Sequence, residues 1–568
     1  MKKTKRFSIP LFLHFLLFIN VSLLQAQQQD SIIVGEMKDL MELKDDDYVE
    51  VAREGRPTSP AYRYFGPNFS VVQVNVNETG ENILGDAANE PSIAIDPNDP
   101  DRMVIGWRQF DTISSNFRQA GFAYSNNGGD QWIFPGVIEP GVFRSDPVLD
   151  YDTEGNFYYN SLTNATGGFT CNVFKSTGDG TWDEGSFAYG GDKQWMVIDR
   201  TGGIGHGNIY SFWAQVFSTC SPGFFTRSVD GNVSYEDCIT IPQSLRRGTL
   251  AIGPDGSVYA CGQVNTQFYV AKSTNAQDES EAIVWDFTSE VFLDGELERA
   301  AGPNPSGMLG QVWIATDHSG GPTHGNVYLL CSVRRFSNND VLDVMFSRST
   351  DGGLSWSDPI RINDDTDPNA WQWFGTLSVA PNGRIDVAWV DTRDDPGGLN
   401  SSLYISHSED GGLSWTANER LSDSFDPLLG FPQQNKIGDY YEMISDNEGA
   451  HLTWSATFNG EQDVYYSYIP YELVSTEEII AGKVQSFQNK PNPFSGQTEI
   501  SYELSATGFV ELTVYDVLGQ EVETIVSERQ APGEYVFDWT GNAEPGIYFG
   551  RLSIDGLVVA TQKMIKLE

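Results

Sequence analysis

Arginine, carboxylate and aromatic residues recur at matching places along this chain, and together they could grip a polyhydroxylated anion. Seven segments share one layout, an apolar strand, an Asp/Asn/Gly turn and a second apolar strand; they begin at Pro91, Pro147, Met196, Leu250, Val312, Leu377 and Gly438. At the start of each first strand stand Glu90, Asp146, Lys193 with Trp195, Arg246 with Arg247, Gln311, Trp371 with Trp373, and Asp439 with Tyr440. Where the second strand ends stand Arg108 with Asp111, Trp213, Gln263, Arg334 with Arg335, and Asp391 with Arg393. An arginine fork matches a carboxylate or sulfate through two parallel hydrogen bonds. An aromatic face stacks on a sugar ring, so the set suits a sugar acid or a sulfated glycan. Each residue also has a plainer reading. Arg393 can bridge Asp391 or Asp394 to fix its own loop, Tyr440 can pack within an inner strand, and Trp371 and Trp373, which alternate onto one side, can pack between sheets.

The elements that must hold these residues are marked by a second repeat. STDGGLSW at Ser349–Trp356 returns as SEDGGLSW at Ser408–Trp415 and SNNGGDQW at Ser125–Trp132, with looser copies from Ser176, Ser228 and Ser273. The steps are 51, 52, 45, 76 and 59 residues, a spacing typical of propellers and other repeat arrays. Asp351 and Asp410 can accept turn amides, Gly353 and Gly412 supply positive φ, and Trp132, Trp356 and Trp415 supply apolar bulk between neighbouring sheets. The pattern S-x-D-x-G-x-x-W resembles the Asp-box, or BNR repeat, of sialidases and related β-propellers. The expected fold is therefore all-β: a seven-bladed propeller over 67–470, with six blades as the alternative, followed by a small Ig-like β-sandwich. FSVVQVNV at Phe69–Val76 has no partner nearby and is expected to complete the last blade, which removes the free sheet edges of an open array.

The resemblance to sialidases implies a site as well as a fold. Three arginines would hold a substrate carboxylate, for which Arg108, Arg247 and Arg393 are the candidates. Tyr440 would be the nucleophile, supported by a glutamate that the sequence does not identify, and Asp111 the acid/base; Arg335, Asp439, Trp371 and Trp373 would complete the funnel. Sialidases depart in this way from the two-carboxylate plan of most glycosidases. The chain also departs from the family. It has no N-terminal Arg-Ile-Pro motif, only Arg56-Pro57, and sialidase propellers usually have six blades.

The two ends carry addresses. Lys2, Lys3, Lys5 and Arg6 precede the apolar run Leu11–Leu24 and then Gln25-Ala26, the plan of a signal peptide over 1–26; no other long apolar run offers a transmembrane anchor for the mature chain. Residues 27–66 look like a polar, weakly structured lead-in and 471–486 like a linker. KPNPF at Lys490–Phe494, VELTVYDVLGQEV at Val510–Val522, PGIYFGRL at Pro545–Leu552 and KMIKL at Lys563–Leu567 closely resemble the type A C-terminal sorting domain of type IX secretion cargo, over 487–568. That resemblance implies passage through the outer membrane by the type IX machinery and release or anchoring at the cell surface.

Formal charge is −43, and removal of 1–26, with four positives and no acids, leaves −47. So acidic a chain lacks the basic footprint of a nucleic-acid binder. No cofactor or metal is expected, although the acidic balance leaves room for a structural calcium. DYDTEGN at Asp150–Asn156 looks like part of a calcium loop, but GPDG, APNG and SDNEG occupy the same place elsewhere, which favours a plain β-turn. The matching H-G-N-[IV]-Y runs at His206 and His324 likewise favour repeated turn chemistry over a metal. Of five cysteines, Cys220 and Cys238 flank one box hairpin and could bridge. These observations point to a secreted or surface protein that binds extracellular glycan or polymer. The alternatives are an exo-α-sialidase or other glycoside hydrolase of acidic glycans, and a structural or adhesion protein.

Overall fold

The computed structural model describes residues 45–471 and 484–567, apart from 54, 67, 167, 505–506, 518–520, 541–544 and 555–556. The signal segment 1–26, the lead-in as far as 44 and linker residues 472–483 lie outside the described residues. Short runs rich in β-branched and aromatic residues, broken by Gly/Asp turns, form strands throughout. No helix occurs among the described residues, and none is long and apolar enough to cross a membrane.

Seven antiparallel sheets follow one another between residues 63 and 470. Their innermost strands are Ala87–Ile95, Ser145–Tyr151, Trp195–Ile198, Leu250–Ile252, Trp313–Thr316, Gln372–Val379 and Glu442–Ser445. Each sheet meanders outward from its innermost strand, and a side chain bonds it to the next. The amides of Leu149, Ile198, Ile314, Gly375 and Ser445 donate to Ser92, Asp150, Thr249, Ser332 and Ser378 respectively, and Arg227 donates to the Ala276 carbonyl. The last sheet meets the first through Glu442, which accepts from the Ser92 hydroxyl and the Ile93 amide. Burial there pushes the Glu442 carboxyl up to about 8, against those two donors.

The seventh sheet is finished by the other end of the chain. Ser70–Gln73 pairs with Tyr465–Tyr468, and Arg63–Phe65 adds a fifth strand outside it. The expected closing strand is therefore in place, while the lead-in is more structured than its composition suggested. Thr58–Ser59 pairs with Asn82–Ile83, and Tyr62 stacks on Phe458 with ring centroids 4.1 Å apart. Aromatic residues within a Pro- and Arg-rich stretch build that segment into the fold.

The boxes tie each sheet to the one before. Ser349 Oγ donates to Asp351 Oδ1 at 2.7 Å and accepts from the Gly353 amide at 2.8 Å; Asp351 also accepts from the Ser355 amide at 2.9 Å. Ser408, Asp410, Gly412 and Ser414 repeat this set. The tryptophan then reaches backwards. Trp132 packs on Tyr466, Trp415 on Phe346, and Trp356 donates to Ser289 Oγ at 3.0 Å. At Gly412 φ is +82° and an added Cβ would lie 2.4 Å from the Phe346 ring, so the glycine serves both the turn and the close approach.

Cys220 and Cys238 form a disulfide, and Cys171, Cys261 and Cys331 are buried thiols. Asp152, in the calcium-like segment, is occupied by the amides of Glu154 and Asn156 and by the Tyr158 hydroxyl, as a turn requires. His206 bonds Thr201 and Thr153 in its own and the neighbouring turn, and His324 accepts the Gly320 amide. At the C-terminal end, strands Val484–Lys490, Thr498–Leu504 and Gly533–Trp539 form one sheet; Gly508–Tyr515, Glu521–Gln530, Gly546–Ile554 and Leu557–Lys566 form another. Ile500, Tyr502 and Trp539 from the first share a core with Leu512, Leu552 and Met564 from the second.

Two outcomes follow from the boxes. Gly412→Ala should destabilise the chain by about 1–3 kcal/mol, because it combines a left-handed backbone with a clash; urea unfolding reads this directly. The Ser355 hydroxyl, opposed by burial and helped by the Ser355 amide and the Ser349 hydroxyl, lowers the Asp351 carboxyl to about 2. A depressed folded value means that its contribution is complete above the ordinary carboxylate range of about 4 and is lost as pH falls toward 2. Thermal melting followed from pH 5 to 2 should fall less steeply for Asp351→Asn than for the parent chain.

Candidate functional site

Each innermost strand must turn sharply as it leaves the preceding sheet. Six of the seven do so through a residue with positive φ: Glu90 at 51°, Asp146 at 48°, Lys193 at 56°, Arg247 at 56°, Phe374 at 55° and Gly438 at 101°. Bulges accompany the turn in the first, second and sixth sheets, and a bulge re-aims the side chains beside it. At Gly438 a Cβ would lie 2.7 Å from Glu90 Cγ, so the first and seventh sheets are nearly in contact here. A left-handed backbone at a non-glycine residue costs about 1–3 kcal/mol, and such strain clusters at functional sites.

The charged residues at these positions join in one chain of ion pairs. Arg108 Nε lies 3.1 Å from Glu90 Oε2 and donates to Asn89 Oδ1 at 2.8 Å. Lys436 Nζ lies 3.9 Å from Glu90 Oε1 and 2.9 Å from Asp439 Oδ2. Lys193 Nζ lies 2.7 Å from the same Asp439 oxygen, 3.1 Å from Asp146 Oδ2 and 3.7 Å from Asp192 Oδ1. Arg108 and Glu90 are 0% exposed. Burial would push Asp439 up, but Lys193, Lys436 and Arg108 hold it well below the usual carboxylate range. Glu90 goes the other way, because burial raises it and Arg108 only partly offsets that. Lys193 keeps its proton: burial opposes the charge, and Asp146 and Asp439 more than restore it.

Hydrogen bonding in this chain is incomplete. Arg108 Nη1 and Nη2 and both Glu90 carboxylate oxygens are buried without a hydrogen-bond partner among the described residues. A buried polar group left unsatisfied costs about 1–3 kcal/mol and calls for an explanation. Beside the ion pairs, aromatic rings fill the space. Trp195 meets Trp313 edge-on at 5.0 Å and Tyr440 at 5.6 Å.

The sequence-derived candidates divide accordingly. Arg108 and Asp439 are brought together, with Tyr440 close enough that Glu90, Asp146, Lys193 and Arg108 all act on it. Yet the Tyr440 hydroxyl is buried and donates to the Pro147 carbonyl at 2.7 Å. Burial pushes it well above the ordinary phenol range, the opposite of what a nucleophile needs. Arg335 and Arg393 belong to a separate ladder. Arg335 pairs with Asp294 and Asp343, Arg361 with Asp343 and Asp365, and Arg393 with Asp391 and Asp364 at 2.8 and 2.6 Å. Arg393 thus fixes its own loop. Arg247 donates to Gln263 Oε1 at 3.3 Å, and Asp111 accepts from Gln119 at 2.7 Å. Trp373 is a correction: it is fully buried, donates to Ser401 and packs on Phe374, so it offers no face to a sugar. Trp371 is half-buried, against Gly302.

Lys436 and Asn304 were not found from sequence. Lys436 lies in the unpatterned run FPQQNKIGDY. Asn304 lies in an insertion betrayed only by the 76-residue step between the boxes at Ser273 and Ser349. Its amide group donates to the Gly438 carbonyl at 2.8 Å and accepts from the Ile437 amide at 3.1 Å. Among the described residues no group of three or more His, Cys, Asp or Glu is arranged to hold a metal ion.

Residues 491–567 match the family described as secretion system C-terminal sorting domain. The chain is therefore exported by type IX secretion to the cell surface or beyond. No curated protein matches it. Similar solved structures include a protein of unknown function from Dyadobacter fermentans DSM 18053, 12% identical over 71% of this chain and 98% of that one, with a TM-score of 0.39. The phage phi92 endosialidase is 8% identical over 81% and 74%, with a TM-score of 0.39. The Trypanosoma rangeli sialidase in complex with the inhibitor DANA is 8% identical over 91% and 90%, with a TM-score of 0.35.

Removing one member of a buried ion pair strands the others. Lys193→Met leaves Asp146 and Asp439 short of a cation and should cost about 3–5 kcal/mol, measured as a shift in the urea midpoint.

Proposed function

We propose that this chain is a seven-bladed β-propeller that binds an extracellular glycan or polymer at or beyond the cell surface, through the ends of its innermost strands. The observation that carries this reading is the buried Glu90–Arg108 pair, in which Arg108 Nη1 and Nη2 have no hydrogen-bond partner among the described residues. Pre-formed polar groups of this kind on a rigid frame suit recognition of hydroxyl-rich ligands. An exo-α-sialidase fits less well. Its clamp would need Arg393, which two carboxylates already hold, and its nucleophile would be a phenol that burial keeps protonated.

Fluorogenic sialosides and glycosides, together with a glycan array, test the proposal on the exported chain. Retention on the array without turnover is the expected result. Sialoside hydrolysis that disappears in Tyr440→Phe would replace the binding reading with the enzymatic one.

A further inference from the structure

The lead-in lies across the seam at which the propeller segment closes. Arg53 Cζ stands 3.6 Å from the ring centroid of Phe134, on the outermost strand of the first sheet. The Pro57 carbonyl accepts the Leu84 amide at 3.0 Å, and Thr58–Ser59 pairs with Asn82–Ile83, just before that sheet begins. Tyr62 then reaches the seventh sheet, stacking on Phe458 and accepting the Gln73 amide on its carbonyl at 3.1 Å. The stretch from Arg53 to Tyr62 therefore touches the first sheet at one end and the seventh at the other.

The seam beside it is acidic. Asp86 precedes the innermost strand of the first sheet, and Glu461 and Asp463 stand at the turn into the closing strand of the last hairpin; the three act on one another by charge. Asp86 is 1% exposed and Asp463 0%. Glu461 accepts the Gly85 amide at 2.7 Å. Asp463 accepts from Asn75 at 2.8 Å, Asn459 at 3.2 Å and the Tyr465 hydroxyl at 3.4 Å. Asp86 Oδ2 accepts from Gln109 at 3.1 Å, but Asp86 Oδ1 is buried with no hydrogen-bond partner among the described residues. Asp111 follows the second strand of the first sheet, faced by Gln119 and Tyr48. Positive charge reaches this group from the lead-in: Arg56 acts on Asp86, Asp111 and Glu461, and Arg53 on Asp86 and Asp111, while Glu78 acts on Arg53.

Carboxylates gathered in a buried seam repel one another once ionised. We infer that the lead-in is an electrostatic clasp, in which Arg53 and Arg56 offset Asp86, Asp111 and Glu461 and so hold the first and seventh sheets together. The clasp makes closure depend on pH. Burial raises the Asp86 carboxyl to about 7, against Arg56 and Gln109. With a folded value above the ordinary one of about 4, its contribution to stability is complete below that value and is lost as pH rises through 7. Without the two arginines the folded value rises further, and the loss extends above pH 7.

Hydrogen exchange and thermal melting of the exported chain test the clasp, in Arg53→Gln/Arg56→Gln, in Asp86→Asn and in the three changes combined. At pH 8 the double variant should exchange about tenfold faster or more at peptides covering 70–88 and 460–468, where Val74 and Ala88 donate to the Val464 and Gln462 carbonyls, and at the parent rate over 327–335 in the fifth sheet. Adding Asp86→Asn should restore slow exchange, which it would not do if the arginines served only to pack. The melting advantage of Asp86→Asn over the parent should grow from pH 5 to 7 and then level, and in the double-variant background should go on growing above pH 7. Unaltered exchange at the seam, faster exchange spread equally over all sheets, or no rescue by Asp86→Asn overturns the clasp. Should the double variant not fold, Arg56→Gln alone and Asp86→Asn alone decide it: parent-like seam exchange in the first, or a melting difference that does not change from pH 5 to 9 in the second, overturns it equally.

Discussion

The seventh sheet is built from both ends of the propeller segment, with Ser70–Gln73 hydrogen-bonded along Tyr465–Tyr468 and Val74 continuing onto the Val464 carbonyl at 2.8 Å. An array of sheets left open would expose a flat edge at each end and invite pairing with another chain. Sharing one sheet between the two ends removes that edge, and it also fixes the geometry inside. Sheets that follow one another and return to the first must bring their innermost strands close together. The starts of those strands, which in an open array would be far apart, become neighbours. Gly438 against Glu90 is the tightest of these approaches, and every feature of the candidate site follows from the crowding there.

Crowding of polar residues in a poorly hydrated space selects for alternation of charge. Arg108, Glu90, Lys436, Asp439, Lys193 and Asp146 follow in alternating sign, so Asp439 and Lys193 each offset their desolvation cost against two close opposite charges. The opposite directions taken by Glu90 and Asp439 show how local this is. Asp439 lies between two lysines and stays ionised, whereas Glu90 has a single close partner and is driven towards its neutral form. The ladder of Arg335, Arg361 and Arg393 uses the same alternation, with every arginine engaged by carboxylates. At the strand starts of the first sheet, by contrast, Arg108 Nη1 and Nη2 are buried without a hydrogen-bond partner among the described residues.

Much of this architecture was legible in the sequence because turn chemistry is local. The Asp-Gly turns and the tryptophan of each box need only a few consecutive residues, and the seven hairpins between them alternate clearly. The closing strand was legible for a different reason, since FSVVQVNV had no partner nearby and the last hairpin lacked one. What alternation could not give is depth. Residues two apart lie on one side of a strand, but in stacked sheets both sides are covered, so the spacing of Trp371 and Trp373 did not separate a half-exposed ring from a buried one. Tyr440 was placed correctly at a strand start, yet whether its hydroxyl faces solvent or the Pro147 carbonyl depends on the second sheet, almost three hundred residues away in sequence. Lys436 and Asn304 come from insertions, whose position is set by what they cover and not by any period.

The two ends of the sheets differ in how they obtain positive φ. At the box end the residues concerned are, apart from Asn232, glycines such as Gly128, Gly129, Gly231, Gly352, Gly353, Gly411 and Gly412, which adopt that conformation without steric cost. At the strand-start end five of the six are Glu90, Asp146, Lys193, Arg247 and Phe374, each of which is strained there. Glycine at these positions would relieve the backbone, as it does at Gly438, but would delete the side chain. Four of the five side chains kept at that cost are charged, and three of those belong to the ion-pair chain. Stability alone would favour the cheaper residue. The box end therefore carries glycine turns that tie sheet to sheet, and the strand-start end carries the side chains that form the ion-pair chain.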